Sequence, residues 1–120
     1  MIVEKIRGSV SPGTVIPKPK AKADFVVKAW GRRRGEQALV YAIPNHRNPK
    51  KPHEKGITET EFERAYEELQ RSGELTHAWF KKNLPKCAEE GSCNYTTVGG
   101  IFELLGEARY LSKGVYARRR

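Results

Sequence analysis

"NYTTVGGIFELLGEARYLSKGVYARRR" (Asn94–Arg120) is the stretch on which the fold turns. Val98, Ile101, Phe102 and Leu105 recur at i, i+3, i+4 and i+7, so the spacing predicts a helix over 96–105 with one apolar face. Asn94, Tyr95 or Thr96 stands at the cap position, and Gly106 supplies the stop. Ala108–Leu111 and Val115–Arg118 then read as two strands around a Ser112-Lys113-Gly114 bend. The outward positions of the helix hold Thr97, Gly99, Gly100 and Glu103. None is an Arg, Lys, Gln or Asn, the side chains with which proteins read base edges in the major groove.

Toward the N-terminus the helical period continues. Thr58-Glu59-Thr60-Glu61 is a capping-box sequence, in which the Thr58 hydroxyl and the Glu61 carboxylate satisfy each other's backbone N–H groups. Phe62, Ala65, Tyr66 and Leu69 follow at helical spacing and Gly73 ends the run, which predicts a helix over 59–72. Glu59, Glu61, Glu63, Glu67 and Glu68 decorate it, so it is expected to be scaffold turned away from any polyanion. Glu74–Leu75 offers a short strand. Thr76 then caps a helix over 76–83 anchored by Trp79 and Phe80, and Pro85 ends it and opens a further turn before Gly91. Helix, short strand, helix, helix and β-ribbon form an order that resembles the winged-helix superfamily over residues 57–118. The resemblance implies a three-helix unit ending in a ribbon-like wing. Two features depart from the pattern: the long link from Asn83 to Tyr95, and the lack of base-reading groups on the last helix.

Residues 1–53 carry the whole net charge of +9; from residue 54 onward acids and bases balance. A field of one sign over one region steers acidic partners. Within that half, "DFVVKAWGRRRGEQALVYAI" (Asp24–Ile43) predicts a β-hairpin with Arg32, Arg33 and Arg34 at an exposed tip. A guanidinium fork fits a phosphate bidentately. "PNHRNPKKPHEKG" (Pro44–Gly56) has no apolar residue and reads as a loop, with Arg47, Lys50 and Lys51 in it. Residues 1–23, rich in proline and lysine, read as a flexible basic arm.

The expected architecture is α+β: a basic N-terminal β-hairpin (24–43) joined to a three-helix, winged-helix-like unit (57–118) that ends in a β-ribbon. Residues 24–120 form a single domain behind the arm. The composition points to a small nucleic-acid-binding protein that contacts mainly the phosphate backbone, with weak sequence specificity and with DNA ahead of RNA. Its contact residues are expected to be Lys28, Arg32, Arg33, Arg34, Arg47, Lys50, Lys51, Lys113, Arg118 and Arg119. The alternatives are a protein-docking module, with Gly99-Gly100 as a close-approach face, and a metal-dependent nuclease built on the His- and Asn-containing loop. No nucleophile triad or GxxxxGK[ST] phosphate loop is present, so catalysis is the weaker expectation. Cys87 and Cys93, with five residues between them, have the wrong spacing for a structural zinc site, and no metal or cofactor is expected. No apolar run is long enough for a membrane span, so the chain is expected to be cytoplasmic, with a homodimer possible.

Overall fold

A computed structural model describes residues 1–20 and 22–119. The basic hairpin forms as β2 (Phe25–Arg33) and β3 (Glu36–Ile43). The turn is tighter than expected. Arg34 and Gly35 are its two central residues and both have positive φ, as a type I′ bend requires. Arg32 and Arg33 therefore belong to the strand and not to a free tip. A two-residue strand, β1 (Val15–Ile16), pairs with β2. β4 (His53–Thr58) pairs with β3 along its whole length, which gives a curled antiparallel sheet of order β1-β2-β3-β4. The second part of the expected 44–56 loop is thus a strand. "HEKG" has little strand propensity of its own, and pairing to the apolar β3 imposes the extended form.

The segment expected as a mobile arm is corrected. Residues Ile2–Ser9 form a helix, α1, whose Ile2, Val3 and Ile6 are buried together with Val10 just beyond its end. Arg7 fixes it on two sides, with an ion pair to Glu59 at 2.8 Å and its guanidinium 3.7 Å from the centre of the Trp30 ring. Lys5 pairs with Glu107. The arm's Ala21, like Arg120, lies outside the described residues.

From residue 58 onward the elements follow the expected order. α2 (Glu59–Ser72) starts at the complete capping box, with Glu61 N–H donating to Thr58 Oγ1 at 3.1 Å and Thr58 N–H donating to Glu61 Oε1 at 2.8 Å. Gly73 ends it in the left-handed region at φ 86°. β5 (Glu74–Thr76), α3 (His77–Asn83), α4 (Pro85–Glu90) and α5 (Asn94–Leu104) follow, and then the ribbon strands β6 (Ala108–Ser112) and β7 (Val115–Arg118). β5 pairs with β7, so the second sheet has the order β5-β7-β6. One core joins both sheets and the helices: Leu39, Tyr41 and Ile57 from the first sheet, Phe62 and Leu69 from α2, Phe80 from α3, and Tyr95, Val98, Ile101 and Phe102 from α5 are all buried. None of the helices among the described residues is long and apolar enough to cross a membrane.

Candidate nucleic-acid interface

α5 occupies the chain position of a recognition helix, but its accessible face is missing. Asn94, Tyr95 and every residue from Thr97 to Phe102 are buried. Gly99 lies under the Tyr116 ring: an added Cβ would come 2.2 Å from two of its carbons. Gly100 lies under the N-terminal segment, where a Cβ would meet the Pro17 carbonyl oxygen at 2.3 Å. The glycine pair lets β7 and the 16–18 segment close over the helix. The expected close-approach face is therefore filled by the chain itself, which leaves no groove-reading or docking surface there.

The 16–18 segment is held by Lys18, which turns inward instead of lying on an extended arm. Its Nζ donates to Thr97 Oγ1 at 2.7 Å, Cys93 O at 2.8 Å and Thr96 Oγ1 at 2.9 Å, and it stands 4.3 Å from the centre of the Phe25 ring. Burial lowers its pKa to about 8, against the raising influence of Cys93. Next to it the Tyr41 hydroxyl donates to Asn94 Oδ1 at 2.6 Å and lies 3.1 Å from Cys93 Sγ. Cys93 and Cys87 are both free thiols, and burial pushes that of Cys87 well above its ordinary range. This anchorage docks one end of the first sheet, where β2 begins and β3 ends, onto the start of α5.

The expected arginine tip at the other end of that sheet is not a free phosphate contact. Arg34 forms a bidentate pair with Glu61, Nε to Oε2 at 2.8 Å and Nη2 to Oε1 at 2.7 Å. Its Nη1 reaches Glu90 at 2.9 Å, and Nη2 also donates to Gly56 O at 2.7 Å. Arg33 Nε donates to Glu90 Oε2 at 3.1 Å, with its stem laid across Gly56, where a Cβ would approach Arg33 Cγ to 2.7 Å. Burial opposes the charge on Glu90, yet hydrogen bonds from Arg34, Gly56 and Asn94 outweigh it and hold the carboxyl below its usual range. α2, expected as scaffold turned away from any polyanion, supplies its capping-box carboxylate Glu61 as the partner of Arg34. Arg32 alone stays exposed, donating to Gly35 O at 2.7 Å.

The remaining expected contacts divide by location. Lys28 pairs with Glu54 at 2.5 Å. Arg118 donates to Gln70 O at 2.6 Å near the C-terminal end of α2, whereas Arg34 sits at the N-terminal end. Nine residues of helix, about 14 Å, separate Glu61 from Gln70, so the hairpin bend and the ribbon base do not form one patch. Arg47, Lys50 and Lys51 lie in the 44–52 loop at the opposite end of β3 from Arg34. They are exposed, with no ion pair among the described residues. Asn45 shapes that loop: its Oδ1 accepts from Arg47 N–H at 3.1 Å and Asn48 N–H at 3.3 Å, and its Nδ2 donates to Lys51 O at 3.0 Å. Lys113 at the ribbon bend and Arg119 are likewise exposed and unpaired among the described residues. Lys20 and Lys22, which follow inward-turned Lys18, share that state, and residue-by-residue reading did not single them out. The signal that this segment is docked was Val15-Ile16, an apolar pair just before the proline- and lysine-rich run.

Comparison with known proteins brings no relative to bear on this surface: no family model, curated protein or solved structure is similar to the chain.

Proposed function

We propose that the protein binds nucleic acid through phosphate contacts, using a winged-helix-like scaffold without a reading helix. The observation that carries this reading is how the cations are distributed. Glutamates of α2 and α4 neutralise Arg33 and Arg34, while Arg47, Lys50, Lys51, Lys113 and Arg119 reach solvent with no carboxylate partner among the described residues. Exposed, unpaired cations release counterions from a polyanion at little structural cost. The order β5-β7-β6 and the succession of α2, α3, α5 and ribbon support the scaffold. Sequence specificity is weak on this reading, since sealed α5 offers no donor to a base edge.

Titrating the protein with duplex DNA, single-stranded DNA and RNA at several salt concentrations tests the proposal. Binding should weaken linearly in log K against log salt. Replacing Arg47, Lys50 and Lys51 together by alanine should reduce the slope on duplex DNA by roughly two to three units, with equal loss on unrelated sequences. A protein that binds none of the three at low salt is not a nucleic-acid binder.

A further inference from the structure

The ribbon bend closes over a pocket of about 270 Å³ whose walls differ in kind from every other cleft described on the surface. The other four each contain at least one glutamate: Glu36 and Glu61, Glu67 and Glu68, Glu54, or Glu63 and Glu67. This pocket contains none, and two lysines without an ion pair among the described residues, Lys20 and Lys113, line it. Its floor and one wall are aromatic. The His77 ring lies parallel to that of Tyr95, with centroids 4.7 Å apart and planes 9° apart, and Tyr110 comes in from β6, packed edge-on to Tyr116 at 5.6 Å. Burial, with Lys81 nearby, lowers the pKa of His77 and so favours its uncharged ring.

The backbone around the pocket is fixed. Gly114 O accepts from His77 N–H at 2.9 Å and from the Tyr95 hydroxyl at 2.9 Å, which pins the bend over the start of α3. Lys20 takes φ 60° in a turn, a left-handed conformation that costs free energy in a residue with a Cβ. The volume falls just below the range of about 300–1,000 Å³ typical of drug-sized ligands. That size suits one ring system and not a large cofactor.

We propose that this pocket receives one unstacked nucleotide, its base against the His77 and Tyr110 rings and its phosphate between Lys20 and Lys113. Aromatic faces accept any base, and flanking lysines neutralise the backbone, the combination by which proteins bind single strands. A base inside a duplex is stacked on both sides and cannot enter. The inference rests on the nucleic-acid reading above and sharpens it from polyanion to single-stranded nucleic acid. A free nucleoside monophosphate has the same chemistry as one residue of a strand, so both are probes.

The test uses the full chain with a fluorescently labelled single-stranded oligothymidylate, the same length of duplex DNA, and adenosine monophosphate. Tyr110→Leu keeps an apolar side chain on β6, and its fold is checked by circular dichroism and thermal unfolding. It should weaken single-strand binding roughly 5- to 100-fold and leave duplex binding within twofold. Lys113→Gln, at an exposed bend, should weaken the strand and the monophosphate alike. Saturable binding of the monophosphate, with loss in both variants, supports the pocket whichever source supplies the nucleotide. If single-strand affinity is unchanged in folded Tyr110→Leu, or falls no more than duplex affinity, the pocket proposal is overturned while phosphate binding through the 44–52 loop stands. Absence of binding to any nucleic acid overturns both.

Discussion

At the scale of single residues, three neighbouring arginines have three different roles. Arg34 satisfies two carboxylates and a strand carbonyl, and its removal leaves the part-buried Glu61 without an ion-pair partner and Glu90 with Arg33 alone. Arg34→Ala should therefore destabilise the fold by on the order of 3 kcal/mol, measured by denaturant unfolding. Arg32→Ala, at an exposed strand position without a carboxylate partner among the described residues, should stay within about 0.5 kcal/mol. Equal effects from the two would mean that the Glu61–Arg34–Glu90 cluster contributes nothing net. Lys18 adds a pH dependence whose sign follows from its burial. Its folded pKa of about 8 lies below the ordinary 10.5, so the unfolded chain keeps the proton to higher pH. The stability of wild type relative to Lys18→Met should then rise as pH increases from about 8 to 10.5. A flat difference across that window would show that the amine is better hydrated than its contacts imply.

Among the elements, those whose residues satisfy themselves locally were legible in the sequence. α2 was readable in full because its cap, stripe and stop all lie between Thr58 and Gly73. The ribbon was readable because its bend has its own glycine, Gly114, at φ 78°. α1, β4 and the fate of the arginines were not, because each is decided by a partner far along the chain. α1 has only Ile2, Val3 and Ile6 to signal it within a charged stretch, and it is stabilised by α2, Trp30 and Glu107. Ile6→Ala should accordingly cost about 2–5 kcal/mol, as in any packed core, whereas a mobile arm would register almost nothing. α5 was found, but its burial was not, since no local feature of Gly99-Gly100 says what lies on top. Alanine is the better helix former by about 1 kcal/mol, yet Gly99→Ala should destabilise by about 1–3 kcal/mol because the buried Tyr116 ring cannot move aside. A thermal melt that shifts upward in Gly99→Ala would show that the ring has room.

The whole molecule has a radius of gyration of 13.3 Å, against about 13.6 Å for a compact chain of this length, so the N-terminal segment adds nothing to its girth. The charge asymmetry of the sequence is only partly an asymmetry of the surface. Half of the story is internal: carboxylates of the neutral half fold back on Arg7, Lys28, Arg33 and Arg34 of the basic half. The exposed cations without an ion pair among the described residues include those of the 44–52 loop and the ribbon bend, with Lys81, Lys82, Lys86 and Arg109 elsewhere on the surface. The same carboxylates also close a sheet edge. β4 is an edge strand, and at its α2 end outward groups are occupied by side chains: Thr58 N–H by Glu61, Gly56 N–H by Glu90 at 3.3 Å, and Gly56 O by Arg34. Occupied groups of this kind are not open to another strand.

The tie between Lys5 and Glu107 spans 102 residues, and it sets a clock on synthesis. At ribosomal rates of about 5–20 residues per second, α1 leaves the tunnel roughly 5–20 s before Glu107, to which Lys5 ties it. Until α2 emerges to cover them, Ile2, Val3 and Ile6 face water on a helix too short to persist alone. The residues of α1 are thus made well before the last of the partners that hold them, and a nascent-chain chaperone has that long to meet them.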